Sequence, residues 1–501
     1  INYHINLNFT MLIRSQIRKL GKHSIIYGVG NFSTKLAAFF LIPIYTKYLS
    51  VEEVGTIALI ELIESFLFSI GTLGIYQALW RYIANVDRAE KKKVIFSSFV
   101  GMVIINMIFL GIISLKFDQI AFLIGISSQG DHQIVLFVLL NILFQFGVQF
   151  LLSLWMYYEK PIAYISLSFY QLIGILSLSI FFVISLELGL WGIVLAKTIT
   201  IGIAFIICAF VILKQYLTIP SIKVYIRLIK FGAPLIFLGL TTPILTLSDR
   251  FFLNMFVPLS LIGIYSINYK FGMLINMFLI VPLQRGLLPM IYKEGLRDEM
   301  KPIYKDILFY YLIIGCLFIL GITFFIKPFI GFVSSTEYLE AAYVVPFVAA
   351  AYLIAGFRPF FTPLVALKDR TDLLGKAAII GIAVCLSLNY ILIKNYGIDG
   401  AVAATILSYV IFTFSVYYLS KRVEPMDWGW LRIGKVALLT GFILSGVQFA
   451  GNQWKDFEMV FGFIGLTSFP ILLWAFRIIG EREINGVKSI ISFVQNKVNK
   501  P

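Results

Sequence analysis

Apolar residues run through this chain in unbroken stretches long enough for a helix to cross the hydrocarbon of a bilayer, which takes about 20 residues. Fourteen such stretches stand out: 24–46, 54–79, 94–115, 134–156, 161–184, 188–212, 232–253, 260–283, 305–327, 339–360, 374–393, 398–419, 433–450 and 457–476. Barrel strands are ruled out as the alternative, because they run to about ten residues with alternating polarity. The composition agrees: 59% of residues are hydrophobic and 13% charged, against roughly 25% charged in a soluble domain. The fold class this predicts is all-α and polytopic, with about fourteen transmembrane helices. It excludes a soluble enzyme, a secreted disulfide scaffold and a disordered chain.

The formal charge of +15 is explained by where the cations fall. With the N-terminus placed in the cytoplasm, the outer ends carry only Lys47, Lys116, Lys327, Lys394 and Lys455. Lys35, Lys197, Arg250, Lys270 and Lys376 lie within spans, and the remaining Lys and Arg all fall on inner segments. So one-sided a distribution over fourteen alternations is the positive-inside pattern. The basic excess is therefore topology and not a nucleic-acid face, and both termini are expected on the cytoplasmic side.

Chemistry of other kinds finds little to work with. Cys208, Cys316 and Cys385 lie in apolar runs without a CxxC spacing, and His4, His23 and His132 are far apart, so neither a disulfide framework nor a metal site is expected. No phosphate loop of the form GxxxxGK[ST] is present. No cofactor is expected, and the loops leave no room for a soluble catalytic domain. The first apolar run is full length with no small-residue cleavage site after it, so no signal peptide is expected. Met11 is the first methionine and the expected start, with residues 1–10 outside the native protein. Three short segments read as amphipathic helices lying on the inner membrane surface: 11–22, 221–231 and 484–498.

The halves of the chain repeat. Lys160 matches Lys368, Gly189-Leu-Trp-Gly192 matches Gly397-Ile-Asp-Gly400, Ala196 matches Ala404 and Gly55 matches Gly263, all at an offset of 208. Six spans are thus repeated in the same orientation, a plan in which two bundles flank a central cavity. The expected organisation is a cytoplasmic segment over 1–23, an N-lobe over 24–213, an interfacial linker over 214–231, a C-lobe over 232–422, two further helices over 423–480 and an amphipathic tail over 481–501.

Tyr-Leu-Ser-Val-Glu-Glu-Val-Gly (48–55) and Leu-Gly-Ile-Tyr-Gln-Ala-Leu-Trp-Arg-Tyr (73–82) resemble the opening signature of bacterial polysaccharide flippases of the Wzx type. Pro234-Leu235, Ser248-Asp249-Arg250-Phe251-Phe252, Gly263-Ile264-Tyr265-Ser266 and Tyr269-Lys270 resemble the start of that family's second half, and Glu337-Tyr338 with Glu340-Ala341-Ala342 a later segment. The likeness extends over residues 20–480. It implies the fold of the multidrug-and-toxin-extrusion superfamily, with two six-helix lobes and extra terminal helices, in a bacterial inner membrane. It implies movement of undecaprenyl-pyrophosphate-linked oligosaccharide from the inner to the outer leaflet for O antigen, capsule or exopolysaccharide, alongside membrane lipid and the polymerase and chain-length machinery.

The charges inside the spans fit that task. An ionisable group there costs about 2.5–3.5 kcal/mol on insertion scales, so it faces a cavity or a partner. Lys35, Lys197 and Lys270 are candidate cations lining a path for an anionic headgroup, and Arg81 and Arg358 candidates to gather pyrophosphate at the inner mouth. Counter-ion duty toward Glu61 or Glu64 is the alternative for the lysines, and snorkelling for the arginines. Glu61 and Glu64 share a helical face, where they are expected to repel each other, and are candidates for coupling to H+ or Na+. Asp249 and Arg250, helical neighbours that do not face each other and are expected to pair elsewhere, are candidates for a gate, with Arg250 meeting an acid such as Glu52 or Glu53 when the outer side closes. Asn31, Gln145, Gln149, Gln171 and Asn389 are candidates to hydrogen-bond sugar or to join helices. A cation-coupled multidrug exporter and a lipid II flippase remain open alternatives, with a membrane glycan polymerase behind them.

Overall fold

The computed structural model describes residues 39–84, 86–126, 132–454 and 457–479. Among them there is no strand, as the bilayer demands: with no water to satisfy the main chain, a spanning segment must close its own hydrogen bonds. Ten helices among the described residues are long and apolar enough to cross a membrane. Asn31, Lys35, the 11–22 and 484–498 segments and most of the first expected span lie outside the described residues.

The helices run in order: α1 (Ile42–Tyr48), α2 (Val51–Gly71), α3 (Ile75–Ala84), α4 (Arg88–Ser114), α5 (Phe117–Leu123), α6 (Gln133–Tyr157), α7 (Pro161–Ile180), α8 (Gly189–Tyr216) and α9 (Ile222–Gly232). They continue as α10 (Ile236–Phe256), α11 (Leu259–Gly272), α12 (Val281–Glu294), α13 (Lys301–Val333), α14 (Val344–Ala355), α15 (Arg358–Ala366), α16 (Thr371–Val423), α17 (Trp430–Gln453) and α18 (Glu458–Ala475).

Local chemistry sets their ends. Ser50 starts α2 with a capping box: its hydroxyl accepts from the Glu53 N–H at 3.1 Å, and the Glu53 carboxylate accepts from the Ser50 N–H at 2.8 Å. Asp87 caps α4 by accepting from the Glu90 N–H at 2.7 Å. Pro161 opens α7, where a missing N–H costs nothing.

Breaks appear where the apolar pattern runs on. The 54–79 stretch is two helices, because the chain turns at residues 72–74 with Leu73 and Gly74 at φ 47° and 64°. The 260–283 stretch ends as α11 at Gly272 and resumes through a π-helical turn at Asn276–Ile280 into α12. The expected spans 374–393 and 398–419 follow each other without a loop in α16, whose 53 residues are two helices joined at a kink. Gly397 makes the joint, with a φ of 54° and a ψ of −126° that no helix contains. The chain closes on itself there: a methyl group on Gly400 would stand 2.1 Å from the Leu392 carbonyl oxygen. Gly189, 208 residues earlier, has a φ of 51° at the start of α8. Positive φ is glycine's region, and the two repeat landmarks share it.

Two compact units are present. The first holds the described residues up to Lys270 with Val333–Tyr338 and Ala378–Ser408. Its centre is α6, which packs on α8 and along α4, while α2 packs on α10. In this unit α9 presents Lys223, Arg227 and Lys230 to the outside and buries Tyr225 and Leu228, in agreement with an amphipathic segment at 221–231. The second unit holds Phe271–Phe332, Leu339–Ala377 and the described residues from Tyr409 onward. The helix pair α14–α15 is deeply buried in it. Large apolar side chains such as Ile206, Phe210, Phe332, Leu438 and Phe442 remain exposed. A soluble protein would hide such surface; here it is what faces lipid.

Candidate functional site

The ionisable groups of the first unit come together from helices far apart in sequence. Glu61 and Glu64 stand three residues apart on α2 and so share a face. Lys270, near the end of α11, donates to Glu61 Oε1 at 2.8 Å, with the ring centroid of Tyr45 5.7 Å from its ammonium. Lys197 on α8 donates to Glu64 Oε2. Each acid therefore has its own cation, which lowers the cost of charge at membrane depth. From the sequence the two carboxylates were expected to repel each other, and Lys197 and Lys270 stood open between lining a path and acting as counter-ions. In the structure each is paired with one of these carboxylates, with about a third of the Lys197 side chain and a seventh of the Lys270 side chain still exposed.

Asp249 and Arg250 correct an expectation. Adjacent helical residues were expected to pair elsewhere, Arg250 with Glu52 or Glu53. Instead Arg250 Nη1 donates to Asp249 Oδ1 at 3.0 Å and to the Thr246 carbonyl at 3.0 Å. Side chains on a helix lean toward its N-terminus, and the arginine is long enough to fold back over the preceding turn onto Asp249. Glu53 is engaged otherwise: besides its capping box it accepts from the Leu190 N–H at 2.8 Å. The Tyr265 hydroxyl donates to Asp249 Oδ2 at 2.5 Å, and the Arg250 guanidinium stacks 4.7 Å from the Tyr269 ring centroid. Asp249 and Arg250 are 4% and 1% exposed, so this is a sealed, internally neutral cluster. Beside it Asn389 donates to Ser248 Oγ at 3.0 Å, tying α16 to α10.

The two arginine candidates sit among aromatic rings. Arg81, exposed on α3, lies 4.4 Å from the Phe231 ring centroid. Arg358, at the start of α15 in the second unit, lies 4.4 Å from the centroid of Phe412 and 5.6 Å from that of Tyr409, and its Nε donates to the Ala355 carbonyl at 3.2 Å. Both are cation–π placements. Lys35 lies outside the described residues. Cys208, Cys316 and Cys385 are buried thiols, and no cluster of metal ligands occurs among the described residues.

A cavity of about 330 Å3 opens inside the first unit between α2, α6, α7 and α8. Glu64 and Lys197 form part of its wall, and so do Gln145, Gln149 and Gln171. Asn141, Tyr164 and Ser168 also line it and were missed at the level of sequence. The signal was present: Asn141, Gln145 and Gln149 are spaced by four along α6, and Tyr164, Ser168 and Gln171 by four and three along α7. Each set is one helical stripe. Two polar stripes in otherwise apolar helices meet across one space.

The chain is similar to known proteins in both sequence and fold. A family model described as "Polysaccharide biosynthesis protein" matches residues 20–294. The probable low-salt glycan biosynthesis flippase Agl15 of Haloferax volcanii is 29% identical over 130 residues, which is 26% of this chain and 27% of that protein. The match thus spans about a quarter of that relative's length. Among solved structures, lipid II flippase MurJ in its inward closed conformation has a TM-score of 0.72 at 19% identity, covering 91% of this chain and 100% of that one. The Vibrio cholerae MATE transporter VcmN, solved as a point mutant, has a TM-score of 0.58 at 16% identity, covering 82% and 97%. At these identities the structural likeness is one of fold.

Proposed function

Because this chain belongs to the polysaccharide biosynthesis protein family, we propose that it is a flippase carrying undecaprenyl-pyrophosphate-linked oligosaccharide repeat units from the cytoplasmic to the outer leaflet of a bacterial inner membrane. It is a multi-pass membrane protein of flippase or exporter type, with the fold shared by lipid II and multidrug transporters. The family match and the similarity to a glycan flippase support the glycan reading over a drug exporter.

One observation carries the mechanism: two lysines at membrane depth, Lys197 and Lys270, each held by a carboxylate of α2 and each only partly covered. A pyrophosphate needs cations to replace its hydration in hydrocarbon. Lys197 and Lys270 supply them, with Lys35 from the first span as a third. Arg81 and Arg358 collect the headgroup on the cytoplasmic side. The two six-helix lobes, 24–213 and 232–422, rock to give alternating access, with both termini cytoplasmic. Glu61 and Glu64, released from their lysines, are the groups that take up H+ or Na+. Asp249 and Arg250 fix α10 against α11 at the gate.

Deletion of the gene in its host, followed by assay of surface polymer and of lipid-linked repeat units by leaflet, tests this reading. Loss of polymer with complete repeat units held on the cytoplasmic face is expected. Unchanged polymer with altered drug sensitivity would overturn it in favour of an exporter.

A further inference from the structure

The cavity between α2, α6, α7 and α8 has a chemistry different from that of a phosphate site. Its charged groups, Glu64 and Lys197, are bonded to each other and cancel. The rest of its polar wall is amide and hydroxyl: Asn141, Gln145, Gln149, Gln171 and Ser168. Asn141 is 2% exposed, and both its Nδ2 and its Oδ1 lack a hydrogen-bond partner. Glu64 Oε1 is also buried and without one. An unsatisfied buried polar group costs about 1–3 kcal/mol, so an amide left with neither donor nor acceptor engaged marks a place where something else completes the bonds. Its position on the stripe with Gln145 and Gln149 turns it toward the cavity.

We propose that this cavity is a saccharide subsite, taking a neutral sugar ring of the lipid-linked glycan while Lys197 stays paired with Glu64; the proposal rests on the flippase reading. A sugar ring presents hydroxyl or acetamido groups that both donate and accept, as amide walls require. It also presents a C–H face, and Phe68 and Tyr164 offer ring surface in the same lining. The volume is near the small end of the roughly 300–1,000 Å3 of small-molecule sites, which suits one or two rings. With that pair closed, a pyrophosphate finds no net positive charge there. An apolar drug would leave the Asn141 amide unpaired. With that pair closed, a bare cation would meet the Lys197 ammonium in the wall.

The test uses the full-length protein in lipid nanodiscs, with N-acetylglucosamine, glucose and galactose as probes in saturation-transfer-difference NMR. Inorganic pyrophosphate, followed by 31P line broadening, is the charged comparator. Wild type is expected to transfer saturation to at least one sugar. Asn141→Leu is expected to weaken that binding about tenfold or more, without changing the pyrophosphate signal. Should Asn141→Leu fail to fold, Gln145→Leu and Gln149→Leu, on the same stripe, carry the same expectation. No transfer to any of the three sugars, or transfer that the variants leave unchanged, overturns the subsite. The same variants are then expressed in the deletion strain. If deletion abolishes surface polymer and the variants restore it fully, the subsite fails while the flippase reading stands. If deletion leaves the polymer intact, the flippase reading itself fails and the subsite with it.

Discussion

Gly55 and Gly263 make the same contact twice. A methyl group on Gly55 would stand 2.2 Å from the Leu259 carbonyl oxygen, and one on Gly263 would stand 2.2 Å from the Val51 carbonyl oxygen. Residues 51 and 259, like 55 and 263, are 208 apart. Each glycine therefore packs on the first turn of the other's helix, and the contact maps onto itself under the internal repeat. It brings together the N-terminal ends of α2 and α11, which the charge distribution places on the outer side.

Alanine at either glycine must push against main chain, which cannot swing aside as a side chain can. Gly55→Ala and Gly263→Ala are each expected to cost about 1–3 kcal/mol, read as lower melting temperatures in detergent. They are expected to part the outer ends, read as faster thiol labelling of a cysteine placed at Val54, which is buried in the first turn of α2. Unchanged labelling would show that the contact does not hold that end closed.

Removing one member of a charge pair differs from removing both. Lys270→Ala leaves the Glu61 carboxylate without its cation and is expected to destabilise by about 1–3 kcal/mol, less than a fully buried pair because both side chains keep some exposure. Lys270→Ala with Glu61→Gln is expected to recover most of that stability but no transport. A double variant that is both stable and active would make the pair purely structural.

The sealed cluster on α10 and α11 should be far less tolerant. Arg250→Ala abandons the Asp249 carboxylate at 4% exposure, and a loss of about 3–5 kcal/mol is expected. Tyr265→Phe removes only the hydroxyl that donates to Asp249, and about 1–2 kcal/mol is expected. Melting temperatures of the two variants, compared with wild type, check the order.

Outside the spans, Glu424 receives hydrogen bonds from Lys301 and Lys368, and these hold its carboxyl below the usual range despite the opposing effect of burial. A depressed folded pKa means the stability contributed by Glu424 with Lys301 and Lys368 is full above the unfolded value of about 4.3. It is lost as pH falls below that and through the folded pKa. Amide exchange over 424–429 is expected to speed up on acidification through that window. In Glu424→Gln the acceleration should disappear.

Long apolar runs are legible because the bilayer imposes one length and one backbone solution. The turn at residues 72–74 was hidden because Gly71, Thr72, Leu73 and Gly74 keep the run apolar or small while the backbone reverses sign at Leu73. Gly397 announced itself only through its match to Gly189. The ion pairs were out of reach: Glu61 and Lys270 are 209 residues apart, and no local periodicity reports which face of one helix meets which face of another. The stripe Asn141, Gln145, Gln149 was readable by spacing alone, since three amides four apart in an apolar helix share a side. Asp249 and Arg250 misled because helical neighbours diverge at Cβ, and the reach of an arginine undoes that divergence.

Lys197 and Lys270 are occupied before any cargo arrives. A phosphate group approaching them meets no vacant positive well; it has to displace a carboxylate already seated there. Such a site behaves as an ion exchanger. Its grip on the cargo is the difference between two attractions and stays modest, and the displaced carboxylate remains tethered nearby, ready to expel the headgroup at the far side. What looks like a charge wasted on neutralisation is then the means of letting go.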